Sequence, residues 1–340
     1  MRQRRRVGII GAGWVTQYHL PAWSALSERA EVVAIADPQL DAAQTKADAF
    51  GIKATYSSAA AMLDAEDLDI VDICAPREYH AELVRLAVAM GSIDILCQKP
   101  LATSLPKAEA LLDEVSGGGR LMVHENWRFR PWYLRLKQWL DEGLAGDIRQ
   151  VQLDFLSSGM IAGADGLRPA LVRQPFFARQ ERLLVMEVLI HQLDSLRYLI
   201  GDMEVVAAHL ERSNDDIVAE DIAAITLRRI ADGGLVQVTG NLAVHGMPPA
   251  PRDQLRIFGA AGSLFLDGNR LTDAGREQRD EQFDSDAGYQ GSYTGAITHF
   301  LDSLDAGTPF ETSPDDNLRT LRLVEDIYRL AAFDPTAKPR

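Results

Sequence analysis

Between residues 6 and 124, short apolar runs alternate with helix-patterned stretches, and few folds can satisfy that alternation. Runs of β-forming residues fall at 6–10, 31–37, 69–74, 94–97 and 120–124, with a weaker one near 53–56. The intervening stretches 14–28, 39–50, 77–90 and 104–115 carry apolar residues at three- and four-residue spacing, the period of a helix. Strand and helix in strict alternation are the signature of βαβ units, so residues 1–125 are predicted to form a doubly wound parallel sheet.

The second part follows another rule. After Pro131 a helix is expected to about residue 142, Gly143 and Gly146 punctuate, and the period then changes to two over 147–155. The same strand character returns at 203–213, 220–230, 234–244, 252–258 and 263–266, with Asp232-Gly233-Gly234 as a turn and no crossover helices between strands. This predicts an α+β domain over 126–340, built on a large antiparallel sheet that serves substrate binding and oligomerisation. A helix at 186–200 interrupts the strands; helices at 291–305 and 315–332 close the chain and can pack back on the first domain. The polar segment 275–290 reads as a loop. The 340 residues suit two domains of ordinary size.

With 35 Lys and Arg against 49 Asp and Glu, the net charge of −14 repels a phosphate backbone and an anionic lipid surface, which excludes nucleic acid and membrane as partners. The basic leader, Met1 to Arg6, runs into too few apolar residues for a signal peptide or a span. Two cysteines, Cys74 and Cys97, make no disulfide framework and fit a reducing cytoplasm. The outer face of the antiparallel sheet is expected to be apolar and to assemble the chain into a homodimer or homotetramer.

Chemistry enters at the end of the first strand. Gly11 and Gly13 are the first two glycines of a G-x-G-x-x-G turn placed between strand and helix, with Thr16 at the third position. Gly11 permits the tight turn, Gly13 lets a pyrophosphate approach the backbone, and Trp14 and Val15 open the helix whose free N–H groups would bind it. Asp37 ends the second strand, 24 residues past Gly13, where a carboxylate accepts from the adenosine ribose hydroxyls. A 2′-phosphate would meet that charge, and Pro38 and Gln39 offer no Arg, so NAD is the expected cofactor of this Rossmann domain.

Two further segments suggest catalysis. Gln98-Lys99-Pro100 stands at the carboxyl end of a parallel strand, where open sheets bind ligands. In the 186–200 helix, Glu187, His191, Asp194 and Tyr198 fall within about 60° of one another on an α-helical wheel, a polar stripe on an apolar helix. Glu187 and His191 could also be two metal ligands, but no third ligand has recognisable spacing, and no metal is expected.

With these residues in view, the chain resembles the glucose-fructose oxidoreductase and inositol dehydrogenase family (Gfo/Idh/MocA) over essentially its full length. The family's E-K-P appears as Gln98-Lys99-Pro100, its D-x-x-x-H-x-x-D helix as Glu187, His191 and Asp194, and its strand-four segment as residues 69–76, ending in Ala75-Pro76 and followed by His80. Asn126-Trp127-Arg128-Phe129 is similar to its N-x-R-F. The resemblance implies oxidation of a sugar or polyol hydroxyl with hydride passing to nicotinamide C4. It implies His191 as general base, Lys99 hydrogen-bonding the same hydroxyl and Glu187 orienting the imidazole or holding substrate. Asn126, Trp127, Arg128 and Asp194 would contact substrate, and Ala75, Pro76, His80 and Gln98 would join the cofactor site. An NAD-using glycosidase and a non-catalytic NAD-binding sensor are the competing readings. A cis Lys99-Pro100 bond would aim the ammonium into the cleft.

Overall fold

The computed structural model describes residues 4–115, 119–275 and 277–336, so the first three residues of the basic leader lie outside it. The chain divides into two units, residues 1–130 with 289–321 and residues 131–288 with 322–340. Among the described residues no helix is long and apolar enough to cross a membrane.

The first unit runs β1 (Arg5–Ile10), α1 (Thr16–Ala25), β2 (Ala30–Ala36), α2 (Leu40–Phe50), β3 (Ala54–Tyr56), α3 (Ala59–Ala65), β4 (Ile70–Ile73), α4 (His80–Ala89), β5 (Asp94–Gln98), α5 (Leu105–Glu114) and β6 (Leu121–His124). The strands lie in the order β3-β2-β1-β4-β5-β6, and every pair is parallel. Chain order reverses between β1 and β4, the switch point at which the loops diverge and leave a crevice. Strand β4 is buried along its whole length, as a strand covered on both faces must be. The short helix α3 escapes an apolar-period reading because four of its seven residues are alanine; Ser58 caps it by accepting from the Ala61 N–H.

A late helix completes this unit. Helix α9 (Ser285–Ala306) contributes Tyr293, Ala296, Ile297, Phe300 and Leu301 to the core formed by Val7, Ile9, Leu20 and Trp23. It starts six residues before the expected 291, because Asp284 accepts from the Ala287 N–H at 2.7 Å and so caps a polar first turn that resembles a loop.

The second unit holds α6 (Pro131–Asp141), β7 (Ile148–Leu156), α7 (Pro169–Arg173), a π-helical turn over Leu184–Leu189, α8 (Ile190–Ile200), β8 (Met203–Glu211), β9 (Ile222–Arg229), β10 (Leu235–Asn241), β11 (Arg252–Gly259), β12 (Ser263–Asp267), β13 (Arg270–Asp273) and β14 (Asp280–Gln282); α10 (Pro314–Ala331) spans the boundary between the two units. Its eight strands lie in the order β14-β13-β12-β11-β7-β10-β9-β8. All pairs are antiparallel except β7 with β10, which are parallel, because the long excursion between them carries the chain back to the same end. Strand β14 consists of Asp280, Glu281 and Gln282 and has no apolar residue to betray it; Arg270 pairs with Asp280 across the ladder. One face of the sheet buries Val151, Leu153, Phe155, Val236, Val238, Leu255 and Ile257. The other face is mixed rather than apolar throughout: it presents Gln150, Gln152, Asp154, Gln237, Gln254 and Arg256 beside Leu235, Phe258 and Phe265, with Arg256 bound to Asp154 at 3.1 Å.

Candidate active site

The glycine turn has the geometry that dinucleotide binding asks for. Gly11 has φ +105°, and a Cβ there would lie 2.6 Å from the Cys74 carbonyl oxygen, so only glycine fits. At Gly13 a Cβ would meet no protein atom within 4 Å: the space the glycine keeps is open space. Thr16, at the departing third position, is buried and donates its hydroxyl to the Gly11 carbonyl at 2.9 Å, closing the turn from within. Trp14 is exposed and Val15 half-buried, both at the helix entrance. Asp37 accepts from the Ala12 N–H at 2.7 Å on one oxygen and from the Gln39 N–H at 2.8 Å on the other. The two backbone donors fix its carboxylate while each oxygen keeps lone pairs for ribose hydroxyls. These residues fit NAD.

At the neighbouring strand ends, Lys99 is half-buried and the Lys99–Pro100 bond is cis. Ala75 and Pro76 follow β4 at or near the surface. His80 and Gln98, both expected at the cofactor, are instead enclosed. The His80 ring bridges two main-chain carbonyls, Pro100 at 2.7 Å and Ala75 at 2.8 Å, and so ties the ends of two strands together. The Gln98 amide turns inward to His19 and His124.

Of the three residues after β6 expected at the substrate, two are struts. Asn126 is buried and donates to Ser292 Oγ at 2.7 Å. Arg128 is buried in an ion pair with Asp316 at 2.7 Å and also reaches the Glu311 carbonyl. Trp127 alone of the three keeps surface, and the Arg130 guanidinium lies over its ring. A guanidinium over an indole face is a cation–π pair that stiffens the ring without covering its edge.

The polar helix of the second unit has a different start from the one its spacing implied. Leu184–Leu189 is a π turn, wider than an α turn, so Glu187 does not sit at the angle to His191 that a continuous α-helix would give. Within 183–200 nearly every residue is buried, Arg197 in an ion pair with Asp202 included; the half-open positions are Glu187, Val188, His191 and Tyr198. Three of these four are polar, and Asp194 lies buried beneath them. A buried acid builds the π turn. Glu220 accepts from the Val185 N–H at 3.0 Å and the Leu183 N–H at 3.4 Å, its carbonyl accepts from the Leu184 N–H, and the Tyr328 hydroxyl donates to its side chain at 2.5 Å. Burial pushes the Glu220 carboxyl up despite these donors, and it pushes the Tyr328 phenol well up. The packing surface is supplied by Gly240 in β10, where a Cβ would come within 2.9 Å of Leu189 Cδ1. Within α8, Gln192 donates to Asp253 at 2.9 Å, and Tyr133 of α6 donates to the same carboxylate at 2.8 Å.

Glu220, Tyr328 and Asp253 were not among the residues singled out in the sequence. The signal available was an acidic pair, Glu220-Asp221, directly ahead of an apolar strand.

A parallel sheet in 3-2-1-4-5-6 order, with a glycine turn after its first strand and an acidic residue at the end of its second, is a dinucleotide-binding Rossmann domain. The family model for an oxidoreductase family with an NAD-binding Rossmann fold matches residues 5–125, and the model for the GFO/IDH/MocA C-terminal domain matches residues 133–265. The chain belongs to the GFO/IDH/MocA oxidoreductase family. It is 32% identical over 338 residues to a D-apiose dehydrogenase of Paraburkholderia graminis, covering 96% of this chain and 87% of that one. It is 29% identical to a D-apiose dehydrogenase of Rhizobium rhizogenes, covering 95% and 94%. Among solved structures, an oxidoreductase from Agrobacterium radiobacter in complex with NAD+, L-tartaric acid and magnesium superposes with a TM-score of 0.87 at 29% identity, over 97% of both chains.

Proposed function

We propose that this protein is a sugar dehydrogenase that oxidises a secondary alcohol or hemiacetal of an aldose, with a branched pentose such as apiose as the first candidate. The observation that carries this reading is the similarity, over nearly the whole chain, to two apiose dehydrogenases, to which Lys99 and His191 add groups able to hold and deprotonate a hydroxyl. When bound, NAD supplies the hydride acceptor. His191 takes the hydroxyl proton as hydride leaves the same carbon, the task an imidazole performs near neutral pH. Lys99 donates to that oxygen and stabilises its developing negative charge, an effect strongest where water is scarce. Glu187, on the wider turn ahead of His191, orients the imidazole or holds substrate, Asp194 supports the same helix face, and Trp127 packs its ring on sugar C–H surface.

The test is NADH formation from NAD+, with NADP+ in parallel, across aldopentoses, aldohexoses, branched sugars and inositols. Lys99→Ala serves as the blank. Turnover that is lost in the blank is the expected result. A protein that binds NADH yet oxidises nothing in the panel would overturn the reading and direct attention to nitrophenyl glycosides.

A further inference from the structure

Strand β4 is buried throughout, yet its third residue is Asp72, fully enclosed. A carboxylate in such a place is costly unless donors surround it. Two N–H groups of α1 do so, both on Oδ2: His19 Nδ1 at 2.7 Å and Trp23 Nε1 at 2.7 Å. Burial works to raise the carboxyl, but the contacts with His19 and Trp23 outweigh it and hold Asp72 below the ordinary aspartate range. A carboxylate only accepts, so His19 carries a proton on Nδ1. Its other nitrogen, Nε2, lies 2.6 Å from the amide nitrogen of Gln98. That same amide nitrogen lies 3.1 Å from Nδ1 of His124, whose ring centre is 4.3 Å from that of His19.

A primary amide nitrogen has two protons and cannot accept. With the amide donating to both rings, the pattern that satisfies these contacts is His19 with its proton on Nδ1 and His124 with its proton on Nε2. His19, Asp72 and Cys74 stand close enough to hold a metal ion. However, two N–H donors already engage the carboxylate, and burial pushes the Cys74 thiol well up, away from the thiolate a metal would need. The cluster is a hydrogen-bonded one.

Gln98 immediately precedes Lys99, and the residue that follows, Pro100, is held through its carbonyl by His80. We propose that Gln98 is a positioning residue for Lys99: its amide donates one proton to His19 of α1 and one to His124 of β6, pinning the chain just ahead of the Lys99–Pro100 turn. The direction in which Lys99 leaves β5 is thereby fixed from both sides, by Gln98 before it and by His80 after it. This rests on the role given to Lys99 above and goes beyond it, since Gln98 acts without touching the sugar.

The first test needs no variant. In full-length protein labelled with 15N histidine and saturated with NADH at neutral pH, His19 is expected to show an unprotonated Nε2 and His124 an unprotonated Nδ1. Protons on both nitrogens of His19 would overturn the proposal, because the amide would then be presenting its oxygen. The second test is Gln98→Leu, which keeps about the same volume and removes both donors. The kcat for the sugar should fall about 10- to 100-fold, the usual cost of a misplaced catalytic group. KM and the Kd for NADH should stay within about twofold, which separates misplacement from general damage. A wild-type kcat in Gln98→Leu sinks the proposal. If no sugar is turned over at all, the role of Lys99 fails, while the histidine spectrum still decides the pattern around Gln98.

Discussion

A carboxylate held by backbone donors is pre-oriented, and Asp37 is held by two of them, from Ala12 and Gln39. Asp37→Ala is therefore expected to lose charge-assisted hydrogen bonds to the ribose, worth about 1.5–3 kcal/mol, or roughly ten- to hundredfold in the KM for NAD+. NADP+ should be used relatively better once the repelling charge is gone. Parallel kinetics with both cofactors would check this, and an unchanged ratio would remove Asp37 from the cofactor site. Asp72 is a residue of the other kind, a charge with a structural task. Its carboxyl is held below the unfolded value, so its contribution is complete above about pH 4 and is lost as the pH falls through the lower folded value. Asp72→Asn should cost about 3 kcal/mol in urea unfolding at neutral pH, as breaking buried charge partnerships does. The gap to wild type should shrink below pH 4. A gap that is the same at every pH would mean that Asp72 is not ionised in the folded protein.

Elements place these residues, and they differ in how openly the sequence declares them. The strands of the first unit were legible as short, largely apolar runs buried on both faces, as β4 is, and its helices by a buried stripe at helical spacing, as in α4. The glycine turn and the Lys99–Pro100 turn were legible because each sits at the end of such a strand. The π turn at Leu184–Leu189 was not, since its extra residue leaves the apolar run Leu183 to Met186 looking like ordinary helix and is imposed by a partner distant in sequence. The inward aim of Gln98, the clamp made by His80 and the use of Asn126 and Arg128 as struts were hidden for the same reason: a polar residue does not announce which buried group it will meet. Glu220 gives the element-scale prediction. Glu220→Ala strands three buried partners, the N–H groups of Leu183 and Val185 and the Tyr328 hydroxyl, and should destabilise by about 2–4 kcal/mol. Glu220→Gln keeps an acceptor for the turn and should recover most of that loss, with kcat following stability only in the alanine variant if the turn positions Glu187. Thermal unfolding and kinetics of both variants measure it, and equal losses in the two would show that charge, rather than the capped turn, is what matters.

For the molecule as a whole, the open face of the eight-stranded sheet poses the remaining question. Its glutamines, Arg256 and Asp154 pair among themselves, Gln150 with Gln237 at 3.2 Å and Arg256 with Gln152 at 3.3 Å, and Phe258 and Phe265 meet edge to face at 6.1 Å. A face of amides, balanced charge and a few aromatics matches the composition of interfaces between proteins rather than that of a core cut in half. We expect a homodimer or homotetramer assembled through this sheet. The chain's net charge of −14 opposes association of identical copies, whereas the sheet face itself is close to neutral, so screening should favour assembly. Sedimentation equilibrium is expected to show an oligomer whose dissociation constant falls as salt is raised from low to physiological strength. Arg256→Glu combined with Phe258→Glu should return a monomer that still binds NADH, because neither residue belongs to the cofactor turn. A wild-type monomer at every concentration, or a double variant that assembles as before, would place the interface elsewhere and leave the polar face as plain solvated surface.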